Sequence, residues 1–451
     1  MRTVAQGPCL LRLCLDRLGW GPERLAREIN RVAGPDTVSM KAPYGWLKGA
    51  VPRGRVPQIA ALVLSRGLGE LVGAAALFPG AADRTTVAAT AVHGLDVPWD
   101  AAGARACAAL AAVPPGTDLL PVGGGTLVSC VADWLAAPKS VPVAHRGGEP
   151  VNPAVLEVLG QRIGQLRRLD DAQGGPLLLD WIMQDLSWAA HLVCAASYDD
   201  QAGRVLMRSV AELGQLGGWL AADLGRSASA QRLFLVALHC AHAAAEPELA
   251  AHTVSCLSYQ SMWTGAPNAA VRLIRLARQG IPAECDGSVS ALLASREGRA
   301  HAASDDMNAC LAALDEAGVA ESSRPASADE HCPQWAYWVT PAVLAADAGR
   351  ALLEAGAPAR AVDRLEAGLE LFGQDQPRNR LLHGISLAQA RLALRDADGA
   401  AEAAHAALGL VGSAHSARVK TRLAELRTAM EDVDAHSARG VVERADALCA
   451  A

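Results

Sequence analysis

Apolar positions along this chain recur at helical rather than strand spacing. In "PCLLRLCLDRL", residues 8–18, apolar and charged positions alternate with the period of one helix face, which predicts a first helix. Gly19-Trp20-Gly21 interrupts the run, and Pro22 suits the first turn of a second helix, "PERLAREINRV". There Leu25, Ile29 and Val32 fall on one side at i, i+4, i+7. "AGPD" reads as a loop. Ser39 fits the N-cap of a third helix closing at Gly49. Pro43 would remove a hydrogen bond from that helix unless it starts there, leaving Ser39 to Ala42 as an extended lead-in. A fourth helix, "VPQIAALVLSRGLG", follows. Short helices on short turns, the third carrying basic residues, make a helix-turn-helix layout.

The pattern changes twice further on. Residues 79–150 are rich in Pro and Gly and read as a linker with one or two short helices, such as "AAGARACAALAA" and "SCVADWLAA". "GGGT" within it lacks a following G-K-[ST] and a preceding apolar strand, so a flexible turn is the reading rather than a phosphate loop. From about residue 153, helical runs of 12 to 18 residues alternate with Gly, Pro or Asp-Gly turns. Helices at 153–170 and 176–196 come first.

After these, fifteen small residues form five triplets with internal spacings of 12 and 7. They are Gly218/Ala230/Ala237, Ser258/Ala270/Ala277, Gly298/Cys310/Ala317, Gly349/Ala361/Gly368 and Ala388/Ala400/Ala407. Four residues past each middle member stand Phe234, Ile274, Leu314, Leu365 and Ala404. The units are 40, 40, 51 and 39 residues apart. "GVAESSRPASADEHCPQWAYW" between the third and fourth is expected to be a surface loop feeding an aromatic helix. "SARVKTRLAELRTAMEDV" is expected to cap the array.

Composition supports the same division. Ala and Gly carry much of the apolar content and strand formers are sparse, so the predicted fold class is all-α. A chain of 451 residues exceeds one core and implies two or three domains. The 11 cysteines include no C-x-x-C pair, and Cys194, Cys240, Cys256 and Cys310 sit among alanines as buried reduced thiols would. Neither a signal peptide nor an uncharged span of membrane length is read, so a cytoplasmic protein is expected.

Charge separates along the chain despite a net of −6. Residues 1–80 hold 11 Lys and Arg against 5 Asp and Glu, a surplus of six positive charges. The remainder holds 30 against 42, a surplus of twelve negative charges. A small basic module ahead of a large acidic body is the pattern of a nucleic-acid binder with a regulatory domain.

"GWGPERLARE" followed by "VSMKAPYGWLKGAVPR" resembles the Cro/phage-repressor (XRE-like) helix-turn-helix, with Val38, Ser39, Trp46 and Gly49 on the family's Val, Ser, Trp and Gly. Gly21-Pro22 and Pro43 depart from it, and the loop before the third helix is long. The resemblance implies double-stranded DNA as partner, with Ser39, Lys41 and Tyr44 at base edges and Lys48, Arg53 and Arg55 at phosphates. Trp46 reads as a core plug.

The triplet half is similar to tetratricopeptide-repeat proteins, whose α-solenoids offer a concave groove. That resemblance implies an effector, whether peptide, protein or small molecule. Candidate groove residues are Tyr259, Trp263, Asn268, Trp335 and Trp338.

Together the halves resemble actinobacterial transcriptional regulators that join the two modules, which implies a homodimer. The expected domains are residues 1–80, a linker over 81–150 and a regulatory array over 151–451. An adaptor with a degenerate helix-turn-helix, favoured by Pro22 and Pro43, is the alternative. His239, His242, His252 and Cys256 cluster in sequence without a second ligand pairing, and nothing resembles a catalytic constellation. No cofactor, metal or enzymatic activity is expected.

Overall fold

A computed structural model of the chain describes residues 10–33, 37–52, 56–68, 77–78, 97–111, 121–139, 141–172, 174–323, 332–374, 376–410, 417–431, 433 and 436–450. The protein is all-α, with twenty α-helices among the described residues. None of them is long and apolar enough to cross a membrane. The chain divides into two compact units. One holds residues 1–94 and 115–126, the other residues 95–114 and 127–451.

The first unit contains α1 (Leu10–Leu18), α2 (Pro22–Ala33), α3 (Ala42–Trp46) and α4 (Val56–Leu68). Leu11 and Leu15 of α1, Leu25 and Ile29 of α2, Trp46 of α3 and Leu64 of α4 share one core. Burying each of these large side chains favours folding by about 1.5–3 kcal/mol. Trp46 meets Phe78 edge-on, with ring centroids 5.8 Å apart, as a core plug should. The side chain of Val32 lies outside the described residues.

The third helix differs from the expectation. It starts at Ala42, with Pro43 in its first turn, and its N-cap is Lys41, which makes no side-chain cap bond. Ser39 is therefore not the cap, and 39–42 is a turn rather than an extended lead-in, closed by Ala42 N–H to the Ser39 carbonyl at 3.0 Å. Proline excludes helix before its own first turn, and this shortens α3 to five residues.

In the second unit, α5 (Ala101–Ala111) and α6 (Gly124–Ala136, in this unit from Leu127) precede α7 (Pro153–Ala172) and α8 (Pro176–Ala195). Five helix pairs follow: α9 (Asp200–Asp223) with α10 (Ser227–Ala243), α11 (Pro247–Trp263) with α12 (Pro267–Gln279), α13 (Gly287–Ala303) with α14 (Met307–Ser322), α15 (Pro341–Glu354) with α16 (Pro358–Leu371), and α17 (Pro377–Ala393) with α18 (Ala397–Leu408). First helices of successive pairs also touch, which makes the stack solenoid-like. Two helices end it, α19 (Ala417–Glu431) and α20 (His436–Ala450), in place of the one expected capping helix.

All fifteen triplet residues are buried. Their smallness is what lets paired helices touch. A Cβ on Gly218 would stand 2.6 Å from the Phe234 ring, one on Gly298 2.9 Å from Leu314, and one on Gly349 2.6 Å from Leu365. In each case the large residue four past the middle member fills the space left by the glycine. Ser258 instead donates from its hydroxyl to the Ala270 carbonyl at 2.8 Å across its pair. The turns within pairs carry a left-handed residue at 225, 265, 305, 356 and 395, with the same 40, 40, 51, 39 spacing.

The segment read as a linker is partly built into this unit. In α5, the carbonyls of Arg105 and Ala104 accept from the thiols of Cys194 and Cys240 at 3.6 and 3.8 Å. Trp99 stacks on His239 at 3.8 Å. Trp134 of α6 occupies the space beside Gly280. Residues 143–150 are fastened to the α8–α9 turn, where His145 and Tyr198 exchange backbone hydrogen bonds of 3.0 and 2.9 Å. "GGGT" opens α6 from Gly124 onward instead of forming a free turn.

The stack also returns on itself. Arg378 of α17 pairs with Asp170 of α7 at 3.2 Å, joining residues 208 apart in sequence, and both side chains are nearly buried.

Candidate functional site

Two places in the molecule gather chemistry, one in each unit.

In the first unit, Ser39, Lys41, Tyr44 and Lys48 are all exposed, whereas Val38, Pro43 and Trp46 between them are buried. The arrangement follows from the turn and the short helix: Pro43 and Trp46 face the core, and this sends Tyr44 outward. Tyr44 Oη donates to Glu23 Oε1 of α2 at 3.1 Å, and this bond raises the phenol above its ordinary range. Arg53 and Arg55 lie outside the described residues.

A residue that sequence reading passes over holds this surface in place. Asn30 of α2 donates to the Val38 carbonyl and accepts from the Val38 N–H, both at 2.8 Å. The long loop before α3 is thus bracketed at its end by one side-chain amide, a role a polar residue eight positions upstream does not advertise.

In the second unit, residues of α7, α9, α11, α13, α15 and α17 line a cavity of about 130 Å³. Tyr259 is part of its wall. Arg296 Cζ lies 4.5 Å over the Tyr259 ring and 5.5 Å from that of Trp219, while Arg299 Cζ is 5.7 Å from Tyr259. Arg350 Nη1 donates to Tyr259 Oη at 3.5 Å. Trp335 and Trp338 come from the segment before α15, and Trp335 stacks flat on His252 at 4.6 Å.

The expected aromatic helix is instead a single 3-10 turn, Gln334–Ala336, and Trp335 is buried. Pro333 and Pro341 bracket too short a stretch for a helix, so the chain lays its indole against His252. Residues 324–331 of the expected loop lie outside the described residues.

Tyr259, Trp335 and Trp338 thus come together. Trp263 lines an adjoining cavity of about 150 Å³ that shares Trp219 and Tyr259 as its wall, and Arg350 lies 5.2 Å over its ring. Asn268 is exposed and lines neither cavity.

The arginines dominate the electrostatics. Arg296, Arg299, Arg350 and Arg422 are each under 8% exposed, an unusual burial for cations. Arg299 pairs with Glu354 at 3.1 Å. Arg296 lies over the Tyr259 and Trp219 rings and acts on the Asp347 carboxylate, while the Nε atoms of Arg299, Arg350 and Arg422 have no aligned acceptor, although Arg350 Nε lies 3.5 Å from Glu354 Oε1 and Arg422 pairs with Glu425 at 3.4 Å. Burial would push the Asp347 carboxyl up, but the charges of Arg296, Arg299 and Arg350 outweigh it and hold the group below its ordinary range.

Burial, aided by Arg296 and Arg167, pushes His252 down to about 3, and His383 falls to about 4 for the same first reason. Both rings are therefore neutral at pH 7. Burial also pushes the Cys256 thiol up to about 11, so it stays protonated. His239 and His242 flank Trp99, whereas His252 faces Trp335, so the four residues clustered in sequence occupy different surroundings. Among the described residues no three His, Cys, Asp or Glu side chains converge as metal ligands would.

The sequence pattern points to the aromatics of this cavity but to none of its arginines. A signal is present all the same: Trp219, Tyr259, Arg299 and Arg350 each directly follow the first small residue of their triplet. They occupy one register in four successive units, and that register faces the cavity region.

In comparison with known proteins, residues 11–77 match the family described as the SP15 N-terminal domain. No curated protein matches the chain as a relative. The matched stretch runs from α1 to Leu77, so it contains the exposed Ser39–Lys48 surface and none of the array.

Proposed function

We propose that the chain is a sequence-specific DNA-binding regulator, in which an XRE-like helix-turn-helix reads DNA and a tetratricopeptide-type array binds an effector that controls it. The observation that carries the reading is the outward presentation of Ser39, Lys41, Tyr44 and Lys48 from a stretch whose Pro43 and Trp46 are buried. A hydroxyl and an ammonium near the start of α3 suit base edges, and Lys48 just beyond it suits a phosphate. A head of this size gains useful affinity when two half-sites are read together, so the active form is a homodimer. Effector and DNA couple only if the effector favours one arrangement of the heads energetically.

The test is anisotropy of full-length protein on duplexes selected from genomic DNA, across a salt series. A steep log–log slope with sequence preference is expected, and Lys41→Glu with Lys48→Glu lowers affinity by about tenfold or more and flattens the slope. Absence of any retention at low salt overturns the reading.

One observation favours a second reading, an adaptor that contacts protein. At five residues, α3 spans about 7.5 Å, little more than one helical turn for groove insertion. Failure to bind DNA with retention of a protein partner through the Ser39–Lys48 surface would select it.

A further inference from the structure

We infer that the cavity around Tyr259 binds a small planar organic anion, a single aromatic ring bearing a carboxylate or phosphate. The inference rests on reading this cavity as the effector site, and it deepens that reading by naming the ligand class.

Arg296 is the first reason. It is 6% exposed, lines the cavity, and its guanidinium lies over the Tyr259 and Trp219 rings. A buried cation is costly unless something pairs with it, and the neighbouring Asp347 carboxylate is shared with Arg299 and Arg350. Here the guanidinium is held against Tyr259 at 4.5 Å, so its planar fork is already oriented when an acid arrives. Arg350 lines the same cavity, its Nε 3.5 Å from Glu354 Oε1 without an aligned hydrogen bond.

The charge balance gives the second reason. The wall of the cavity carries Arg167, Arg296, Arg350 and Arg378 against Asp170, Asp171 and Asp347, a surplus of one positive charge, and Asp347 feels the charges of Arg296 and Arg350. The other carboxylates at the cavity are engaged: Asp170 by Arg378, Asp171 by the Tyr337 hydroxyl. A cationic ligand would meet acids that already have partners, whereas one negative charge offsets the surplus at the wall.

Size and shape decide the body of the ligand. A volume of about 130 Å³ is close to the roughly 150 Å³ that accommodates one benzene ring, and it is too small for an extended peptide. Flat indole and phenol faces surround it, which favours a ring over an aliphatic chain.

The test uses full-length protein without DNA and follows tryptophan fluorescence and melting temperature. Titrants are benzoate, phenyl phosphate, the uncharged isostere benzamide and inorganic phosphate. Saturable binding of benzoate or phenyl phosphate is expected, with benzamide and inorganic phosphate each at least about tenfold weaker. Arg296→Met is expected to lose about tenfold or more in affinity for the anion.

The inference is overturned if benzamide matches benzoate, if neither aromatic acid saturates by about 10 mM, or if Arg296→Met binds as the unsubstituted protein does. It is equally overturned if a tetrapeptide with a C-terminal Phe binds better than both small acids, which would make the ligand a peptide end. Should Arg296→Met fail to fold, the benzoate–benzamide comparison on the natural chain still decides. DNA retention is measured separately, so loss of the regulator reading leaves this result standing and the reverse also holds.

Discussion

The guanidinium of Arg296 rests 4.5 Å over the ring of Tyr259. The two residues belong to adjacent helix pairs, so the contact ties the second unit of the stack to the third through a cation and a π face. Stacking of this kind contributes about 0.5–2 kcal/mol when water is excluded. Tyr259→Phe keeps the ring and gives up the 3.5 Å bond from Arg350, so a loss of about 1 kcal/mol is expected in urea denaturation. Tyr259→Ala removes a buried ring and exposes the pairing need of three arginines, and its expected loss is about 3–5 kcal/mol.

Stability should fall as pH falls from about 6.5 toward 4. Burial holds His239 and His252 at about 3 and His383 at about 4, all below the unfolded value near 6.5. The folded state therefore refuses protons that the unfolded state accepts, and the stabilisation is complete above the unfolded pKa and drains below it. Each histidine adds up to about 1.4 kcal/mol per pH unit to the slope. His239→Phe keeps the stack on Trp99 and should visibly flatten the profile when denaturation is compared at pH 7.5, 5.5 and 4.5. An unchanged slope would show that His239 titrates normally.

Two glycines should respond oppositely to alanine. Gly349→Ala puts a Cβ 2.6 Å from Leu365 and 2.9 Å from its backbone nitrogen, and a loss of about 1–3 kcal/mol is expected. Gly160 lies within α7, and a methyl added there would have nothing within 4 Å, so Gly160→Ala should gain about 0.5–1 kcal/mol through helix propensity. Thermal melts of the two variants settle both signs.

Removing the Asn30 bracket should loosen the surface proposed to meet DNA without touching the array. Asn30→Ala deletes two 2.8 Å hydrogen bonds to Val38, an expected loss of about 1–3 kcal/mol in the first unit. Benzoate binding should be unchanged while affinity for selected duplexes falls, as paired titrations would show.

Asp170→Asn should open the contact between α7 and α17 before the rest of the stack. The mutation leaves Arg378 nearly buried beside Asp223 at 4.0 Å, so part of the charge stays compensated and a loss of about 1–3 kcal/mol is expected. Hydrogen exchange should accelerate first in residues 153–172 and 377–393.

The helix pairs are legible in the sequence because their requirement is local and negative: no large residue at three positions per unit. Any helix pair that must touch imposes it, and Gly218, Gly298 and Gly349 display it directly. The cavity is half legible. Tyr259 and the tryptophans stand out because aromatics are rare in this chain, but Arg299 in "SREGRAHAA" looks like one more solvated charge until its register is compared with Tyr259 and Arg350. Arg296 pairs with nothing near it in sequence, and its partners Tyr259 and Trp219 lie one and two units back. The short α3 is foreseeable from Pro43, whereas the Asn30 bracket depends on how a loop folds back across eight residues.

The pairing of Arg378 with Asp170 fixes how many hairpins the coil can hold. A duplicated or deleted unit between them would carry α17 one step along the spiral and pull the two side chains out of reach. Added residues keep the pair only where they leave the advance of the helix pairs unchanged.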